Sequence, residues 1–104
     1  MTTDFLSANA NEVPWRPSSF ADGVSVKDLG SSDGQSIQLV RFQPGARFPW
    51  HRHAGPEFLY VIEGEFIQRG VRLGPGCAGI APAGTEEDDF MSETGGVFVL
   101  VYTE

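Results

Sequence analysis

The sequence predicts an all-β fold, a sandwich or barrel of short strands, on three observations. Glycine and proline supply 13 and 7 of the 104 residues and are spread along the chain as turn punctuation. The segments between them are rich in Val, Ile and Phe, residue types that suit a pleated surface. No window places apolar residues at the i, i+3, i+4, i+7 spacing of an amphipathic helix.

Taken in order, residues 1–11 are polar apart from Phe5 and Leu6, and form an N-terminal tail or an arm that docks elsewhere. Residues 12–104 form a single domain. Val13-Pro14-Trp15-Arg16-Pro17 carries two prolines, which cannot donate to a ladder, so it reads as an edge segment anchored by Trp15. Val24 to Leu29 is a strand. Asp33-Gly34 is a hairpin turn, because Gly tolerates the positive φ of tight hairpins. Ser36 to Phe42 is the returning strand, ended by Gln43-Pro44-Gly45. Phe58 to Ile62 and Val97 to Tyr102 are apolar on both faces, the mark of a strand lying between the core and either a second layer or a partner subunit. Gly64, Gly70, Gly74, Gly76 and Gly84 punctuate the stretch between them.

A chain this long buries about two-thirds of its surface on folding, enough for one core without staples. Fourteen acidic against seven basic residues give a net charge of −7, which argues against a phosphate-binding nucleic-acid surface. No apolar run reaches the roughly 18 residues of a membrane span. The start, Met1-Thr2-Thr3-Asp4, lacks the basic and apolar regions of a secretory signal, so a cytoplasmic location is expected. The single cysteine, Cys77, excludes an internal disulfide. Its small and apolar neighbours predict a buried, inert thiol. Gly74-Pro75-Gly76-Cys77-Ala78-Gly79 spells a dinucleotide fingerprint, but it opens no helix and is set aside.

The chemistry concentrates at one place. The chain has only two histidines, and they stand as His51-Arg52-His53. On an extended strand, residues i and i+2 share a face, so both imidazoles can reach one metal ion. Glu57 follows after the turn Ala54-Gly55-Pro56, and two His with one carboxylate are the side chains of a facial triad. Taken by itself the pair reads more readily as two solvated or core histidines than as ligands.

The flanking residues add a pattern. Gly45, five residues, His51-x-His53, three residues, Glu57, six residues and Gly64 resemble the first motif of the cupin superfamily. Gly76, five residues, Pro82-Ala83-Gly84 and two residues resemble the second, which ends in His where this chain has Glu87. A looser likeness runs from Val13 to Tyr102 to the ChrR-like cupins, on Trp15, Gly23-Val24, Leu39 to Phe42, Pro44 to Pro49 and Gly64-Glu65-Phe66. The resemblance implies a cupin double-stranded β-helix, a jelly-roll barrel, often a homodimer, with one divalent metal ion per chain held by three His and one Glu. By position, His51, His53 and Glu57 are metal ligands, and Glu87 stands in the place of the third histidine. Glu87 then either completes a shell of two His and two carboxylates suited to Fe, Mn or Zn, or points away and leaves three ligands, or marks a decayed site. If Glu87 faces inward on an extended segment, Glu86 and Asp88 face outward, and Glu86 and Asp89 belong to an exposed acidic turn.

Two functions follow. One is a metal-dependent dioxygenase-like or enolising enzyme acting on a small carbonyl compound, with Glu57 as its catalytic base. The other is a non-catalytic sensor of a small-molecule ligand or metal. Phe48, Trp50, Phe58, Tyr60, Phe66 and Phe90 are available to line a pocket, though core packing accounts for most of them. Arg41, Arg47 and Arg52 read as solvated.

Overall fold

The computed structural model describes residues 5–103, so Met1 to Asp4, and with them the start of the expected tail, lie outside the described residues. A 3-10 turn at Ala10–Glu12 precedes twelve strands: β1 (Arg16–Pro17), β2 (Val24–Ser32), β3 (Gln35–Phe42), β4 (Arg47–Phe48), β5 (His51–Arg52), β6 (Glu57–Gly64), β7 (Phe66–Gln68), β8 (Val71–Leu73), β9 (Ala78–Ala81), β10 (Glu86–Glu87), β11 (Phe90–Met91) and β12 (Gly96–Thr103). Among the described residues there is no α-helix.

Every strand pairing is antiparallel. One sheet has the order β1-β2-β3-β12-β6-β9, a second the order β4-β11-β7-β8, and β5 pairs with β10 in a short ribbon. These facing sheets make the jelly roll that the sequence implies. As expected, Arg16–Pro17 is an edge strand, and Asp33-Gly34 closes the β2–β3 hairpin with φ of 52° and 80°, the two positive values of a tight two-residue turn. Gly64 is required by space as well as by its φ of 77°, since a Cβ there would run into the Gly95 carbonyl.

The sheets are joined by aromatic rings. Phe42 and Phe98 from the six-stranded sheet meet Phe66 and Phe90 from the four-stranded one, with ring centroids 4.9–5.7 Å apart. All four are at most 2% exposed. Five of their six pairings are edge-on, the arrangement that sets the positive ring edge against a negative face. Val24, Val26, Val40, Leu59, Val61, Leu73 and Leu100 complete the core.

Of the two coverings expected for β6, its own chain supplies none among the described residues: Leu59 and Val61 point into the core, while Phe58, Tyr60 and Ile62 are 43%, 53% and 47% exposed. These outward residues continue across the sheet through Val99, Val101 and Ile80. One expectation needs correction. Cys77 is exposed, not buried, because it sits in the turn between β8 and β9, where its carbonyl accepts from the Val61 N–H and its thiol is left outside.

Phe98→Ala removes the ring that touches the other three, and a cavity at this spot is expected to cost roughly 3–5 kcal/mol. Urea unfolding of the two proteins, read as a fall in midpoint with an unchanged slope, checks it.

Candidate metal centre

The segment after β4 is fixed by its pairing with the second motif. In the β5–β10 ribbon His51 lies opposite Glu87 and Arg52 opposite Glu86. The His53 N–H donates to the Thr85 carbonyl at 2.9 Å, and the Gly84 N–H donates back to the His53 carbonyl at 2.7 Å. Pro82-Ala83-Gly84-Thr85 is a tight turn, with Gly84 at φ 84° and a Thr85 N–H to Pro82 carbonyl bond of 3.2 Å. The glycine and proline of the second motif therefore aim backbone groups at the histidines of the first.

These backbone groups set the tautomers. The His51 Nδ1–H donates to the Pro49 carbonyl at 3.0 Å. The His53 Nδ1–H donates to the Thr85 carbonyl at 3.1 Å, with the Thr85 hydroxyl oxygen at 3.0 Å. That hydroxyl spends its own hydrogen on the Pro82 carbonyl, 2.7 Å away. In the tautomer with Nδ1 protonated, the Nε2 atom of a neutral ring carries its lone pair. The two Nε2 atoms lie 3.1 Å apart, within hydrogen-bond distance, and Glu57 Oε2 stands 3.6 Å from His53 Nε2. A proton or a metal cation among them would each hold the three together.

Ligand atoms about 2.0–2.2 Å from one ion in a tetrahedral shell lie about 3.3–3.6 Å from each other, close to the 3.1 and 3.6 Å of the two contacts to His53 Nε2. His51, His53 and Glu57 are a cluster whose ligand atoms all lie within 4.8 Å of one another. Histidines that ligate metals characteristically donate their other N–H to a backbone carbonyl, and both do so here. The groups fit a metal ion. The space among them is about 20 Å³, room for a single ion or water.

Glu87 lines the same small cavity, along with Gln68, Phe48 and Phe90. As alternation requires, Glu87 is buried while Glu86 and Asp88 are exposed. It is 4% exposed, and its Oε1 has no hydrogen-bond partner. Burial pushes its carboxyl above the usual carboxylate range, against the pull of His53, His51 and Arg69. The structure brings Glu87 to the cavity without placing it in the three-residue cluster. Of the six aromatic candidates, Phe48 and Phe90 line the cavity and Phe66 is core, whereas Trp50, Phe58 and Tyr60 point outward. Arg41 is not simply solvated, since it stacks on Trp15 with its guanidinium carbon 4.3 Å from the ring centroid.

His51 and Glu57 also border a wider cavity of about 340 Å³, whose polar lining includes Arg16, Gln38 and Tyr102. None of these three was singled out by sequence reasoning. The signal was present in strand parity: Gln38 shares the inward face of β3 with Val40 and Phe42, and Tyr102 that of β12 with Phe98 and Leu100.

In the metal-free protein the folded state retains a proton on Glu87 that the unfolded chain has already released. Unfolding free energy is therefore expected to fall as pH rises from the usual carboxylate range through the raised value, then to level off. Glu87→Gln should remove that slope and be the more stable protein at neutral pH without metal. Denaturation of both metal-stripped chains from pH 4 to 8 checks the sign.

The ChrR cupin-like domain profile matches residues 3–104. No curated protein matches the chain. Among solved structures, a protein from Methylibium petroleiphilum, provisionally described as an acetylacetone dioxygenase, superposes with a TM-score of 0.91 at 19% identity, over 99% of this chain and 79% of that one. An acetylacetone dioxygenase from Acinetobacter johnsonii gives 0.81 at 19% identity, over 99% and 75%. The anti-sigma factor ChrR of Rhodobacter sphaeroides, solved in complex with SigE, gives 0.76 at 24% identity, over 90% of this chain and half of ChrR. These likenesses carry the fold. Together with the match along nearly its whole length, they place the chain in the ChrR cupin-like domain family.

Proposed function

We propose that this chain binds one divalent metal ion, Fe, Mn or Zn, on His51, His53 and Glu57, and uses it on a small carbonyl compound. The observation that carries this reading is the convergence of two imidazole Nε2 atoms and a carboxylate oxygen at 3.1 and 3.6 Å. The fold likeness to two proteins described as acetylacetone dioxygenases supports the substrate class. A bound metal would supply Lewis acidity at the carbonyl oxygen and, if redox-active, a route to dioxygen.

The chain's own residues do the rest. The Pro49 and Thr85 carbonyls hold the two rings in the ligating tautomer. Glu57, if displaced from the metal, would serve as the base that takes a proton from the carbon next to the carbonyl, the catalytic role assigned to it. Phe48, Phe90, Leu59 and Leu100 give the small cavity apolar walls. Glu87 brings a second carboxylate to that cavity, and a ligating role would give its unpartnered Oε1 a partner. A non-catalytic sensor would use the same site without consuming its ligand. The ChrR likeness supports that alternative, although this chain spans only half of ChrR.

The apolar face formed by Phe58, Tyr60, Ile62, Ile80, Val99 and Val101 is the proposed homodimer contact. An uncharged patch can meet its own copy across a two-fold axis without like-charge repulsion.

Two outcomes are expected. Elemental analysis should give close to one metal per wild-type chain and none in the His51→Ala, His53→Ala double variant; full occupancy of the variant refutes the site. Metal affinity should fall in acid, because each imidazole must give up its proton to bind. For the assembly, light scattering should show a dimer that Tyr60→Glu with Ile80→Glu converts to a monomer, and a wild-type monomer at high concentration removes the proposal.

A further inference from the structure

The wider cavity carries an arrangement that the metal site does not require. Its lining is partly apolar, with Val24, Val26, Val40 and Phe20. His51 and Glu57 share that lining with Arg16, Gln38 and Tyr102. Gln38 and Tyr102 are half-buried, polar side chains on inward strand positions ordinarily filled with apolar residues, while the Arg16 side chain on the edge strand is 51% exposed and stands at the rim.

Asp28 organises the group from behind. Its carboxylate accepts from Arg16 Nε and from Gln38 Nε2, both at 2.7 Å, and it is not itself among the residues lining the cavity. These two bonds hold the Asp28 carboxyl below the usual carboxylate range, so it stays charged and keeps its grip. The Nε contact leaves the two terminal nitrogens of the Arg16 guanidinium free of Asp28, a fork that matches a carboxylate. Tyr102 lines the same cavity. Arg16 is the one cationic side chain in this wall, and with Tyr102 and the remaining Gln38 N–H it presents donors.

We propose that Arg16, Gln38 and Tyr102 form an anion subsite, holding the carboxylate tail of a small ligand whose carbonyl head reaches His51 and Glu57. The substrate or sensed ligand is then a carbonyl-bearing carboxylic acid with a short apolar middle. The head's position rests on the proposed metal site; the tail's recognition rests on Arg16, Gln38 and Tyr102 alone.

Two probes of equal carbon skeleton test it: heptane-2,4-dione and 4,6-dioxoheptanoate, in which the end methyl is replaced by a carboxylate. Calorimetric titration of zinc-loaded chain is expected to show the carboxylate binding about tenfold tighter or more, the usual worth of an Arg–carboxylate pair. Arg16→Gln should erase that preference and leave the dione affinity unchanged. Tyr102→Phe, which keeps the ring and the packing, should reduce it severalfold, and decides the matter if thermal melts show that Arg16→Gln has lost its fold. Equal affinity of the two probes for wild type, or a preference that survives both variants, overturns the subsite. Titrating metal-stripped chain separates the two readings. Carboxylate preference there, with no head contribution in either state, upholds the subsite while the metal site fails. Diones binding only the loaded chain, without preference, leave the metal site standing and overturn the subsite.

Discussion

Two imidazole nitrogens and a carboxylate oxygen brought to 3.1 and 3.6 Å of one another call for a proton or a metal cation among them. With each Nδ1–H given to a backbone carbonyl, two neutral rings would turn their Nε2 lone pairs on each other, a repulsion that a bound cation removes. The constraint is therefore written in the main chain. Pro49 and the turn from Pro82 to Thr85 are where they are because of strand pairing, and the strand pairing is held by the phenylalanine cluster between the sheets. A cation turns this repulsion into attraction, which links metal affinity to the stability of the fold.

The interior of the protein is divided. Around Phe42, Phe66, Phe90 and Phe98 it is a packed hydrophobic core of the ordinary kind. Toward β1, β2 and the C-terminal end of β12 the same strand faces become polar as they reach the surface: half-buried Gln38 and Tyr102 and exposed Arg16 and Asp28 follow Val24, Val26, Val40 and Leu100. Phe48 and Leu100 belong to both cavities and form the boundary between the divisions. Rigidity is thus concentrated behind the histidines, and space is left in front of them. A site built on paired strands and backed by close-packed rings holds its ligand atoms in place before anything binds.

Much of this was legible in the residues. The spacing from Gly45 through His51, His53 and Glu57 to Gly64 marks the site, because each glycine serves a backbone need and each polar residue a ligand atom. Gly64 is a glycine for want of room beside Gly95, and Gly45 adopts a φ of 86°. The all-β fold and the β2–β3 hairpin followed from turn chemistry. Other features were hidden for definite reasons. Cys77 has small, apolar neighbours in sequence, but a turn residue's exposure is set by which carbonyl it must offer, not by those neighbours. The outer face of β6 has the pattern of a buried strand because apolar alternation cannot say whether the second layer belongs to the same chain. Arg16 and Gln38 lie 22 residues apart and read as surface residues until strand register places them together behind Asp28.

The exchange of the expected third histidine for Glu87 changes the electrostatics of everything in front of it. If Glu87 joins the proposed site, two neutral imidazoles, two carboxylates and a divalent cation would sum to zero, whereas three imidazoles and one carboxylate would leave a net positive charge. A neutral centre is cheaper to bury, which suits a residue only 4% exposed with an otherwise orphaned oxygen. It also draws an anionic ligand less strongly, since the field of the metal is cancelled within a few ångströms. Attraction for a carboxylate must then come from another charge in the same cavity. Arg16 is that charge, anchored by Asp28 across from β1. In the proposed reading, the negative residue at the metal and the positive residue in the wider cavity would belong to one arrangement, in which the centre acts on a carbonyl and a separate cation selects its acid.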